Sequence, residues 1–134
     1  MQIGIRYGRG VVNIEVPDQN LVGVLDIQPS APIADPEAAI WKALTAPIDS
    51  PSLAELAKGQ QTTCVVISDV ARSVPNKLIL PPILQTLEAG GIARGQIIIL
   101  VATGIHCPNF GAELEEMVGV EIMANYRILN HYSE

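Results

Sequence analysis

Long apolar runs are missing from this chain. The longest uninterrupted one, Ile97 to Ala102, falls far short of the roughly 20 residues that a membrane-spanning helix requires. The amino-terminal stretch MQIGIRYGRGVVNIEV alternates polar and apolar residues, so it lacks the continuous apolar core of a secretory signal. Together these absences predict a cytoplasmic protein with no membrane partner.

Positive charge is scarce as well. Eight Lys and Arg stand against fourteen Asp and Glu, for a formal net charge of -6, and no cluster of basic residues interleaved with aromatics occurs. Nucleic acid and anionic surfaces are therefore not expected partners. Cysteine is limited to Cys64 and Cys107 without CxxC spacing, which excludes a zinc knuckle and a disulfide framework. Two reduced thiols and no metal site are expected. Ten prolines and eleven glycines are scattered as punctuation and form no low-complexity tract.

What is present is a 134-residue chain with 49% hydrophobic content, enough for one core. The expectation is a single α/β domain over residues 1–134. The opening IGIRYGRGVVNIEVP reads as a β-hairpin, with Gly8 and Gly10 supplying the positive φ of a tight connection, followed by a loop at residues 17–20. LVGVLDI predicts a further short strand. Asp35, Pro36 and Glu37 then form a helix start, an N-cap followed by proline at the first helical position and an acid facing the dipole, for a helix running to about Thr45. Ser50 or Ser52 caps a second short helix that ends at Lys58 and Gly59.

Two similar units follow. TTCVVISD is an apolar β-branched run, and NKLILPPILQTLEAGG has helical spacing. GQIIILVATG is a second apolar run, and NFGAELEEMVG is a short helix with Asn109 as cap. Alternation of near-continuous apolar strands with helices is the pattern of βαβ units covered on both faces. Pro81 and Pro82 conflict with a helix interior, so the helix either begins there or has a kinked first turn. A last short strand is expected around residues 126–129. The fold class is thus a Rossmann-like open, mostly parallel sheet with flanking helices, preceded by a β-hairpin.

In such sheets ligands bind outside the carboxyl ends of the strands. SDVARSVPN follows the first buried strand and ATGIHCPN the second, and a right-handed crossover sets them side by side. Asp69, Arg72 and His106 are the candidate site residues. A guanidinium grips a carboxylate with two parallel hydrogen bonds, and an imidazole moves protons near neutrality. Each also has a plainer reading: Asp69 as a turn cap, Arg72 as a surface cation and His106 as a loop histidine. Gly104 suits close approach of a ligand or simply a turn. Cys107, adjacent to His106 on an extended loop, points in a different direction, and Cys64 reads as packing.

SDVARSVPNKLILPPILQTLEAGGI and IIILVATGIHCPNFGAELEEMVG resemble the N-terminal region of the lactate racemase (LarA) family, where an Asp-x-Thr-Arg-Pro-type loop precedes a Gly-Thr-His-Arg-Pro-type loop. ALTAPIDSPSLAEL and NYRILNH extend the likeness over most of the chain. The resemblance implies a 2-hydroxy acid racemase or epimerase that transfers a hydride to a nickel-pincer nucleotide. It implies Arg72 as the binder of a small 2-hydroxy carboxylate, His106 as one acid/base, and Asp69 as a residue that orders the site. Two departures touch that site: the family's Thr-Arg-Pro is Ala71-Arg72-Ser73 with proline delayed to Pro75, and Cys107 stands where the family has arginine. The family's cofactor-tethering lysine, nickel-binding histidine and C-terminal domain are expected beyond Glu134. No cofactor-binding residue is assigned in this chain, the nucleotide is not expected to bind it alone, and it is not expected to be active by itself. The alternative is a non-catalytic Rossmann-like module that binds a small anion or another subunit. An unpaired sheet edge predicts self-association.

Overall fold

The computed structural model describes residues 1–133, which divide into two units, Met1–Pro32 and the residues from Ile33 onward. In the first unit, β1 (Gln2–Tyr7) and β2 (Gly10–Glu15) pair antiparallel, with Ile3 opposite Ile14 and Ile5 opposite Val12. Gly8, at φ +56°, opens the two-residue connection, a conformation that costs glycine no Cβ clash. Gly10 does not share this role, because it lies in β2 with ordinary φ.

Residues 21–27, expected as a strand, form none. Val22, Leu25 and Ile27 are exposed, and the Ile27 N–H donates to the Asp26 side chain at 2.8 Å. β-Propensity needs a neighbouring ladder to act on, and this segment pairs with no strand among the described residues.

The second unit starts with α1 (Pro36–Thr45), whose cap is Asp35: its carboxylate accepts from the Ala38 N–H at 2.9 Å. α2 (Leu53–Ala57) is capped by Ser52 in a reciprocal box with Glu55, which satisfies two orphan donors at once. Three parallel strands follow, β3 (Thr63–Ser68), β4 (Ile97–Ala102) and β5 (Arg127–Asn130), in the spatial order β3-β4-β5. α3 (Asn76–Ala89) crosses from β3 to β4, while α4 (Gly111–Val118) and α5 (Val120–Asn125) cross from β4 to β5.

α3 begins at Asn76 and runs through both prolines, so it neither starts at Pro81 nor confines the prolines to its first turn. The missing N–H groups would have met the carbonyls of Lys77 and Leu78. Both residues are exposed, which leaves those acceptors within reach of water.

The core lies on one face of the sheet. Ile67, Ile97, Ile99 and Val101 pack against Ala57, Leu80, Leu84, Leu87, Leu114, Met117, Val118 and Ile122, so helices α2 to α5 share that side; α1 packs on α3. The opposite face is not covered as expected from the apolar runs. Cys64, expected as packing, is exposed there, together with Val66 at 61% and Leu129 at 37%. An apolar strand signals that both its faces favour burial, but the helices needed to bury the second one are not among the described residues.

Candidate active site

The register that aligns Ser68 with Ala102 starts two loops at the same height on the carboxyl edge of the sheet. After β3 the chain turns at once, the Arg72 N–H donating to the Asp69 carbonyl at 3.1 Å. After β4 it turns again, the His106 N–H donating to the Thr103 carbonyl at 2.9 Å, with Gly104 at φ +59°. A side chain at Gly104 would meet no heavy atom within 4 Å, so the glycine serves the left-handed turn.

The two turns enclose a recess of about 300 Å³ lined by Ser68, Asp69, Arg72, Ala102, Thr103, Gly104, Ile105 and His106. All three residues singled out in the sequence are therefore brought together. Nδ1 of His106 is hydrogen-bonded to Oδ2 of Asp69. The carboxylate is buried, 5% exposed, whereas the imidazole is 55% exposed. An ionised carboxylate only accepts hydrogen bonds, so the pairing places a ring proton on Nδ1, and in the neutral tautomer this selects, the lone pair is on Nε2. Arg72 is exposed, and no carboxylate pairs with its guanidinium among the described residues. Cys107 is exposed and does not line the recess.

Behind the recess stands a polar scaffold that the sequence reading missed. Asn109, assigned there as the cap of α4, instead precedes the capping position, which Phe110 occupies without a side-chain bond. Asn109 is 2% exposed, and its Oδ1 accepts from the Val70 N–H at 3.3 Å while its Nδ2 donates to Glu113 at 3.2 Å. Its backbone exchanges bonds with the Asn130 amide at 2.9 and 3.0 Å. The Thr103 hydroxyl donates to the His131 carbonyl at 2.5 Å, and the His131 N–H donates to the Val101 carbonyl at 2.9 Å. The loops after all three strands are thus tied together. The available signal was a polar residue at the end of each strand: Asp69 and Thr103 directly after β3 and β4, and Asn130 as the last residue of β5.

A cationic side chain and a carboxylate-paired imidazole lining one recess, at the strand ends of a parallel sheet, define a Rossmann-like α/β domain with its candidate site where open sheets bind ligands. Comparison with known proteins narrows the class. Residues 7–134 match the family model described as lactate racemase N-terminal domain, and the chain belongs to that family. It is 33% identical over 134 residues to the lactate racemase of Lactiplantibacillus plantarum and 27% identical over 133 residues to that of Thermoanaerobacterium thermosaccharolyticum, covering 98% of this chain in each case. The structure of the latter's apoprotein superposes with a TM-score of 0.77 at 27% identity over 100% of this chain. The chain spans 31% of the length of these relatives.

Proposed function

We propose that this chain is the substrate-anchoring and proton-transferring part of a racemase or epimerase for a small 2-hydroxy carboxylic acid. The observation that carries the reading is the convergence of Asp69, Arg72 and His106 on one recess in a member of the lactate racemase N-terminal domain family. Arg72 holds the substrate carboxylate through paired N–H donors. That fixes the α-hydroxyl near the His106 ring, whose Nε2 accepts the hydroxyl proton and later returns it. Asp69 holds the tautomer that makes Nε2 the acceptor, as an orienting carboxylate does for a general base.

Inverting the α-carbon also needs a group that takes and returns a hydride, which the family resemblance implies to be a nickel-pincer nucleotide. The residues here do not fit its metal centre: among the described residues no three His, Cys, Asp or Glu side chains converge. The chain's own part is anchoring and proton transfer. A non-catalytic anion-binding module would use Arg72 but gives the oriented imidazole no task.

The test is a chimera in which this chain replaces the matched amino-terminal span of the L. plantarum lactate racemase, with the cofactor supplied, assayed for interconversion of D and L 2-hydroxy acids. Arg72→Ala raises KM by about 10-fold or more, the loss of a charged hydrogen-bonded anchor of about 1.5–3 kcal/mol. His106→Ala lowers kcat by about 100-fold or more. Wild-type kinetics in either variant overturns the assignment.

A further inference from the structure

Arg72 lines a second recess besides the one it shares with His106. This one measures about 360 Å³ and lies at the amino-terminus of α3, with Arg72, Ser73, Asn76 and Lys77 as polar lining and Glu116 of α4 in its wall. α3 has no side-chain cap, because Pro75 holds the capping position. The donors around its start are used unevenly. The Asn76 N–H donates to the Val74 carbonyl at 2.8 Å, and the Leu78 and Ile79 N–H groups both donate to the Pro75 carbonyl, at 2.9 and 3.1 Å. The N–H groups of Ser73 and Lys77 have no acceptor among the described residues. Free donors at the positive end of a helix dipole favour an anion.

Asn76 gives the independent sign of a ligand. It is 5% exposed, a burial in which an amide is ordinarily hydrogen-bonded, yet its side chain has no partner among the described residues. Asn109, the other buried asparagine of this sheet edge, has both ends of its amide bonded. No fully enclosed side-chain N or O atom lacks a partner among the described residues, so the Asn76 amide keeps an opening, and the recess it lines is that opening.

Charge narrows the ligand. The two recesses together offer two cations, Arg72 and Lys77. The acids beside them are engaged, Asp69 with His106 and Glu116 in an interaction of its own. Because Arg72 lines both recesses, one small molecule with two anionic ends can occupy both.

We propose that the recess at the start of α3 receives a second carboxylate of the substrate, so that the preferred ligand is a 2-hydroxy dicarboxylate. One carboxylate and the hydroxyl occupy the recess of Arg72 and His106. The other carboxylate accepts from the Ser73 and Lys77 N–H groups and the Asn76 amide, with the Lys77 ammonium balancing its charge. A ligand with a methyl group in that place leaves the Asn76 amide unpaired, and a site with polar groups left unpaired discriminates against such a ligand. The inference rests on the reading of Arg72 as the anchor of the first carboxylate.

The test titrates the chain with malate, lactate, succinate and inorganic phosphate, following the Ser73 and Lys77 amides and the His106 ring by NMR. Malate is expected to bind about 5-fold or more tighter than lactate and to move all three signals saturably. Lactate moves His106 and leaves the two amides in place, while succinate, with two carboxylates and no hydroxyl, moves the amides. Lys77→Gln, at an exposed position, and Asn76→Asp, which keeps the side chain's shape but makes it anionic, each lower the malate-to-lactate affinity ratio by about 5-fold or more. Equal affinity for malate and lactate overturns the proposal, as does a ratio unchanged in either variant. Phosphate that moves the two amides where neither dicarboxylate does assigns the recess to a separate anion and overturns it too. Malate and succinate that move the amides while no 2-hydroxy acid moves His106 uphold the second carboxylate site and fail the role given to His106 alone.

Discussion

His106 and Asp69, 37 positions apart in sequence, meet through Nδ1 and Oδ2, with the carboxylate buried and the imidazole half in solvent. The buried partner sets the ring's tautomer and the exposed ring is the part that can meet a ligand. Removing the partner should therefore change the ring without changing its exposure. In Asp69→Ala, 15N NMR of the imidazole is expected to show the Nδ1–H form giving way to Nε2–H, and kcat of the chimera to fall by about 10-fold or more. An unchanged tautomer would separate Asp69 from His106.

The reciprocal pairing of Asn109 and Asn130 ties the loop after β4 to the end of β5. Asn130→Ala removes two hydrogen bonds to main chain, at about 1 kcal/mol each, so urea denaturation should show a loss of about 2 kcal/mol. Hydrogen exchange at the Asn109 amide should quicken at the same time. A stability loss with no change at that amide would mean that the pair does not hold the loop.

At the other end of the sheet, Glu88 accepts hydrogen bonds from Arg94 at 2.5 and 3.0 Å and from the Tyr126 hydroxyl at 2.7 Å. Arg94 first, then Tyr126, hold its carboxyl down from 4.5 to about 2. A depressed carboxyl contributes stability that is full above the unfolded value and lost as pH falls through the folded one. Wild type should therefore exceed Glu88→Gln in urea midpoint at pH 7, and the gap should close between pH 4.5 and about 2. A gap independent of pH would rule out the ion pair as its source.

The two faces of the sheet should answer differently to truncation in the free chain. Leu84→Ala, at a site 2% exposed in the core, should cost about 3 kcal/mol, while Leu129→Ala on the open face should cost less than about 1 kcal/mol. Equal costs in urea denaturation would mean that the open face is already covered.

What the sequence disclosed follows the range of the forces involved. Asp35 and Ser52 were readable as caps because a cap acts within four residues, and β3 and β4 were readable because an apolar run records the burial it favours. The recess was readable because strand ends converge in any parallel sheet. Residues 21–27 were misread because a strand exists only beside a partner. Cys64 was misread because an apolar strand looks the same whether its second face is covered or bare. Asn109 was taken for a local cap, whereas its bonds run to Val70 and Asn130, contacts no local pattern encodes.

The central claim is that Arg72 and His106 serve one small hydroxy acid in one recess. It is tested most directly by titrating the chain with lactate while following the His106 ring protons by NMR, in wild type and in Arg72→Ala. The account predicts a saturable shift of the His106 signals in wild type and an affinity at least about 10-fold weaker in Arg72→Ala. Equal affinity in the two proteins, or binding that leaves the His106 signals unmoved, would contradict it.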